Sequence, residues 1–125
     1  MLVGSVVIDC NDFEAMWRFW GAALGYEVHG ELEQDWVILA DPGARGVRVS
    51  IQQVPEPRVG KNRLHLDLYT GDQAAEIERL IGLGARRHEP QPEPVEDFVV
   101  LEDPEGNLFC VVDTSGDPGG DPGAA

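Results

Sequence analysis

Apolar and polar positions change their period along this chain in a regular order. Val3 to Ile8 is rich in β-branched residues and predicts a strand. Asn11 or Asp12 then supplies an oxygen able to cap a helix, with Glu14 in its first turn. Phe13, Met16, Trp17, Trp20 and Leu24 follow at helical spacing. Gly25 is placed to stop that helix in a left-handed conformation. Tyr26 to His29, Trp36 to Ala40 and Val47 to Val54 predict three more strands, and Asp41-Pro42-Gly43 predicts a turn.

Pro55 to Lys61 is a polar connector, and beyond it the order repeats. Arg63 to Tyr69 alternates, with Leu64, Leu66 and Leu68 on one face. Asp72 can cap a second helix whose apolar stripe is Ala75, Ile77, Leu80, Ile81 and Leu83, and Gly84 ends it. Ala85 to Glu89, Phe98 to Glu102 and Asn107 to Asp113 predict the last strands, with a proline-rich loop from Pro90 to Pro94. Leu24-Gly25 answers Leu83-Gly84, and Leu39-Ala40-Asp41-Pro42-Gly43 answers Leu101-Glu102-Asp103-Pro104-Glu105-Gly106. The expectation is an α+β domain over residues 1–113, built from two βαβββ modules at about 1–55 and 62–113. One small sheet leaves an apolar face bare, so the repeat implies pairing about a pseudo-twofold axis. Residues 114–125 lack any large apolar side chain, and a disordered tail is expected there.

Composition narrows the function. A net charge of −14 disfavours nucleic acid and acidic membrane surfaces as partners. No apolar run approaches the roughly 20 residues of a membrane span, and the N-terminus has no signal-peptide pattern. A cytoplasmic protein is expected. Cys10 and Cys110, the two cysteines, sit in apolar strand contexts and are expected to be buried free thiols.

The phrases Asp12-Phe13-Glu14-Ala15-Met16-Trp17-Arg18-Phe19-Trp20, Lys61-Asn62-Arg63-Leu64-His65-Leu66-Asp67-Leu68 and Asp103-Pro104-Glu105-Gly106-Asn107 carry a family likeness. In their order, they resemble the glyoxalase/bleomycin-resistance/dioxygenase superfamily and its glyoxalase-like subgroup, over residues 3–113. That resemblance implies curved sheets around a cleft for a small molecule, often with a divalent metal, and frequent homodimers. Its members include isomerases, ring-cleaving dioxygenases, thiol transferases and drug-sequestering proteins, so fold alone does not choose the activity.

Strand alternation names the candidate side chains. If the leucines of the fifth strand face the helices, Arg63, His65, Asp67 and Tyr69 face the cleft. Arg48, Ser50, Gln52 and Val54 take that side in the fourth strand, Ser5 and Val7 in the first, and Leu108, Cys110 and Val112 in the last. Trp36 and Phe98 occupy corresponding strands as apolar walls, while Trp17 and Trp20 are read as core, and His29 and His88 as solvent-exposed. Matched to the family's four metal positions, the chain supplies Ser5, Gln52, His65 and Cys110, of which only His65 keeps the family's ligand type. No cofactor is therefore expected; a metal, if held, would sit on His65, Gln52 and Cys110. His65 and Asp67 are either a catalytic polar pair, with His65 as acid or base, or structural partners, with Asp67 paired to Arg63 or Arg48. The expected function is binding or sequestration of an apolar or aromatic compound at a degenerate metal site. The alternative is a metal-independent or divalent-metal lyase or isomerase using His65.

Overall fold

The structure is a computed structural model that describes residues 1–62, 64–91 and 97–116. The chain divides into two compact units, Met1–Val59 and Gly60–Ala125. Each carries one helix and a four-stranded mixed sheet, so the architecture is α+β with two tandem βαβββ modules.

The first unit runs β1 (Val6–Cys10), α1 (Phe13–Leu24), β2 (Glu27–His29), β3 (Trp36–Ala40) and β4 (Val49–Gln53). Its sheet order is β1-β4-β3-β2, with β1 parallel to β4 and the other pairs antiparallel. Asp12, one of the two expected caps, starts the helix, its Oδ1 accepting from the Ala15 amide at 3.2 Å. Gly25 ends it at φ 68°, in the left-handed region where glycine has no Cβ penalty. Met16, Phe19 and Trp20 pack under the sheet with Val37, Leu39, Val49 and Ile51, all nearly solvent-free. Burying a side chain of this size contributes about 1.5–3 kcal/mol relative to exposing it. Trp20 is core as expected, and Arg18 stacks over the half-buried Trp17 ring.

The second unit repeats that order with β5 (Asp67–Thr70), α2 (Gln73–Leu83), β6 (Arg86–Arg87), β7 (Phe98–Glu102) and β8 (Leu108–Asp113). Its sheet order, β5-β8-β7-β6, matches the first strand for strand, again with one parallel pair. Asp72 caps α2 through the Ala75 amide at 3.3 Å, as the spacing predicts. Ile77 and Leu80 from the helix bury against Leu101, Phe109 and Val111. Asp103 is fully buried, yet its carboxylate accepts from the amides of Glu105 and Asn107 and from the Asn107 side chain. Those bonds close the β7–β8 hairpin, with Gly106 at φ 83°.

Several expectations shift. Residues Met1 to Val3 are exposed and β1 starts only at Val6. Val47 is exposed because β4 starts at Val49, after a loop in which Gly46 has φ 72°. Leu64, expected against the helices, is 82% exposed. The cause lies in β5, whose ladder begins at Asp67. The segment before it is held by the Asn62 side chain, which contacts the Leu64 carbonyl and both backbone groups of Leu108. Thr114, expected in the tail, is buried, and its amide donates to the Thr70 carbonyl. Residue 63, residues 92–94 of the expected loop and residues 117–125 of the expected tail lie outside the described residues. Among the described residues, no helix is long and apolar enough to cross a membrane.

Candidate functional site

The face of the second sheet opposite α2 carries a cavity of about 420 Å³. Strand register explains its wall. Parallel pairing sets Asp67 beside Cys110, and antiparallel pairing sets Cys110 beside Val100. The His88 amide donates to the Val100 carbonyl and extends that row to the sheet edge. Two residues along the same face, Val112 pairs with Phe98. Side chains two apart on a strand share a face, so His65 and Leu108 join the wall from the other side. Phe98, Val100, Leu108 and Val112 are its apolar part; Lys61, His65, Asp67, His88 and Cys110 are its polar part.

His65 Nε2 lies 3.2 Å from Asp67 Oδ1, and both side chains keep 48% exposure. His65 lies just before β5, two residues from Asp67. A long imidazole leaning along the strand closes that separation. If Nε2–H donates to Asp67, Nδ1 is left as the proton-accepting nitrogen. Cys110 completes the group, and one ligand-type atom from each of His65, Asp67 and Cys110 lies within 4.8 Å of the others. Burial pushes the Cys110 thiol above its ordinary pKa. The charge of Asp67 and its hydrogen bond to the thiol add to that rise, and the Lys61 ammonium opposes it. Cys110 is therefore a protonated thiol at neutral pH, a buried free cysteine as expected. At the far edge, His88 Nδ1 is 3.0 Å from Glu102 Oε2, and Arg86 is 3.1 Å from Glu102 Oε1. The bond from His88, then the Arg86 guanidinium, hold Glu102 below the usual carboxylate range.

The structure brings His65, Asp67, Cys110 and Phe98 to one wall, as alternation predicts. Tyr69 stands farther along β5, 51% exposed and outside that wall. Ser5, Arg48, Ser50, Gln52 and Trp36 belong to the first unit. There Ser50 is fully buried, and its hydroxyl is closed against Ser5 Oγ at 2.5 Å. Arg48 and Gln52 are exposed, and Gln52 pairs in register with the half-buried Trp36. Sequence reasoning passed over Lys61, Val100 and His88. Lys61 had one signal, being the only lysine in the chain. His88, expected to be solvent-exposed, is half-buried and paired, because its amide prolongs the β6–β7 ladder.

The register also relates the two units position by position. In the first unit Val7 pairs with Ser50, and in the second Asp67 pairs with Cys110. Cys110 therefore corresponds to Ser50, while Gln52 corresponds to Val112, since their β3 and β7 partners are Trp36 and Phe98. Among the described residues, His65, Asp67 and Cys110 could together hold a divalent ion. A nitrogen, an oxygen and a sulfur donor suit a borderline ion such as zinc, with a coordination position left open.

The family profile described as a glyoxalase-like domain matches residues 5–112. No curated protein matches the chain. Among solved structures, a glyoxalase/bleomycin resistance protein/dioxygenase family enzyme from Burkholderia phytofirmans PsJN superposes with TM-score 0.71 at 20% identity, covering 90% of this chain and 98% of that one. A glyoxalase-related enzyme from Fulvimarina pelagi gives 0.69 at 17% identity, covering 90% and 88%. A mutant of the fosfomycin resistance protein FosX from Listeria monocytogenes, complexed with Mn(II) and dihydroxypropylphosphonic acid, gives 0.71 at 14% identity, covering 90% of each chain. The solved structures share this fold, and the profile match over residues 5–112, with the repeated βαβββ order, shows that the chain belongs to the glyoxalase-like domain family.

Proposed function

We propose that the second unit binds a small, largely apolar or aromatic molecule in its cavity. The observation that carries this is a pocket of about 420 Å³ with Phe98, Val100, Leu108 and Val112 for walls and a few polar side chains among them. That combination, apolar area with a few convergent polar atoms, is what orients a small ligand. Thermal-shift screening of small aromatic and thiol-conjugated compounds tests it. A compound at about ten times its Kd stabilises by about 1.4 kcal/mol, which raises Tm by several degrees. Val112→Trp fills the cavity and abolishes the shift. Compounds that bind equally well to Val112→Trp would place the ligand elsewhere.

A second reading is a lyase or isomerase with His65 as general base, favoured by the 3.2 Å contact to Asp67. In it, Asp67 holds the imidazole and steadies the imidazolium, while the apolar wall excludes water from the reacting carbon. A divalent ion on His65, Asp67 and Cys110, when bound, would polarise an oxygen of the ligand. His65→Ala separates the readings. Turnover that vanishes while ligand affinity holds supports catalysis, and an unchanged rate ends it. Homodimerisation and a cytoplasmic location go with this proposal and are read by light scattering and cell fractionation.

A further inference from the structure

The chain is strongly acidic, with 23 Asp and Glu against 9 Lys and Arg, but the cavity reverses that balance. Its lining holds the only lysine and two of the three histidines, and one acid, Asp67, among the described residues. Asp67 is occupied by His65 and by the Cys110 thiol. Another acid of the second sheet, Glu102, is engaged by Arg86 and His88. His88 thereby spends Nδ1 on Glu102 while it lines the cavity. Lys61 makes no ion pair among the described residues, and its ammonium is close enough to act on the Cys110 thiol.

We infer that the ligand of this cavity carries an anionic group, a carboxylate or phosphonate on an apolar or aromatic body, held at the Lys61 end. An anion there meets an uncompensated cation, whereas a neutral ligand leaves it idle. A cationic ligand would gain only Asp67, whose charge His65 and the Cys110 thiol already share, and would face the Lys61 ammonium. The inference rests on the cavity being a ligand site, and it deepens that reading by naming the ligand's charge.

The test uses matched pairs on the full chain in EDTA, so that no metal substitutes for Lys61. Aryl carboxylates and aryl phosphonates are titrated beside their neutral amides by calorimetry. The acids should bind about tenfold more tightly at low salt, and the preference should shrink as ionic strength rises. Lys61→Gln should bring acid and amide within about twofold of each other, while Lys61→Arg restores the preference. Equal affinity of acid and amide in the unaltered protein overturns the anion inference and leaves the cavity reading standing. A preference that survives Lys61→Gln overturns the role of Lys61. If no member of either series binds, the cavity reading falls with it.

Discussion

Asn62 is the residue whose removal should most directly link stability to the site. Its side chain replaces a missing stretch of β5 ladder. Oδ1 accepts from the Leu108 amide at 2.9 Å, and Nδ2 donates to the Leu108 carbonyl at 3.2 Å and the Leu64 carbonyl at 2.5 Å. Lys61 is its neighbour in sequence, and His65 lies in the segment it pins. In Asn62→Ala the contact to Leu64 is local and exposed, so it counts for little. The two bonds to Leu108 are partly buried, at about 0.5–1.5 kcal/mol each, with a further cost for the amide left without an acceptor. The expected loss is about 2 kcal/mol. For a domain of this size that lowers Tm by about 8 °C.

Two measurements check this, a thermal melt and the affinity of an aryl acid well below the new Tm. The melt should fall by that amount, and the affinity should weaken, because Lys61 and His65 lose a common anchor. Asn62→Asp should be intermediate, since it keeps an acceptor for the Leu108 amide and presents a carboxylate to two carbonyls. A Tm within about 1 °C of the unaltered protein would refute the energetic reasoning. A lower Tm with unchanged affinity would show that the 61–66 segment is held by something other than Asn62.

Four further outcomes follow from the geometry. Because its folded pKa is raised, Cys110 adds stability that is present below the unfolded thiol value of about 8.5 and lost as pH climbs through the folded one; Cys110→Ser should flatten the alkaline limb of a pH–Tm curve, and the native thiol should react more slowly with iodoacetamide at pH 8 than a free peptide thiol. Glu102, held low by His88 and Arg86, adds stability that is present above about pH 4.3 and lost as acid protonates it, so Glu102→Gln should flatten the acid limb. Added zinc should raise Tm in the unaltered protein and not in Asp67→Ala or Cys110→Ser, read as metal content after gel filtration; equal loading of Asp67→Ala would remove Asp67 from the set. Asp103→Ala strips three donors of their buried acceptor and should cost about 3 kcal/mol in chemical denaturation, whereas a loss under 1 kcal/mol would show that the hairpin stands without it.

Much of the fold was legible because its signals are local. Asp12 and Asp72 cap, Gly25 and Gly84 stop, and Trp36–Ala40 and Phe98–Glu102 form strands with the predicted limits. The errors cluster where a side chain stands in for backbone pairing. Alternation continues through Leu64, but the ladder does not, because Asn62 makes the bonds a strand would make. An asparagine after a connector carries no mark that distinguishes this role from a turn. The site was legible to the extent that period-two alternation sets it, which covers His65, Asp67, Leu108, Cys110 and Val112. Lys61 and His88 enter through tertiary placement, one from a connector and one from a sheet edge, and no periodicity reaches them.

The repeat also explains why the chemistry sits in one half. Register makes Ser5, Val7 and Ser50 the counterparts of His65, Asp67 and Cys110 on the same backbone lattice. In the first unit the two hydroxyls satisfy each other at 2.5 Å, and the site between them is a valine, 46% exposed. Nothing there titrates near neutral pH or competes for a borderline metal. In the second unit the equivalent points carry an imidazole, a carboxylate and a thiol that cannot all be satisfied internally, because an ionised carboxylate accepts more bonds than one imidazole and one thiol donate. The surplus acceptor capacity of Asp67 and the unpaired ring nitrogen of His65 are what a ligand or metal would complete. Identical folding of the two units therefore does not make them equivalent in function. Exchanging His65, Asp67 and Cys110 for serine, valine and serine should turn these three points into a copy of the first unit's, still folded and inert toward metal.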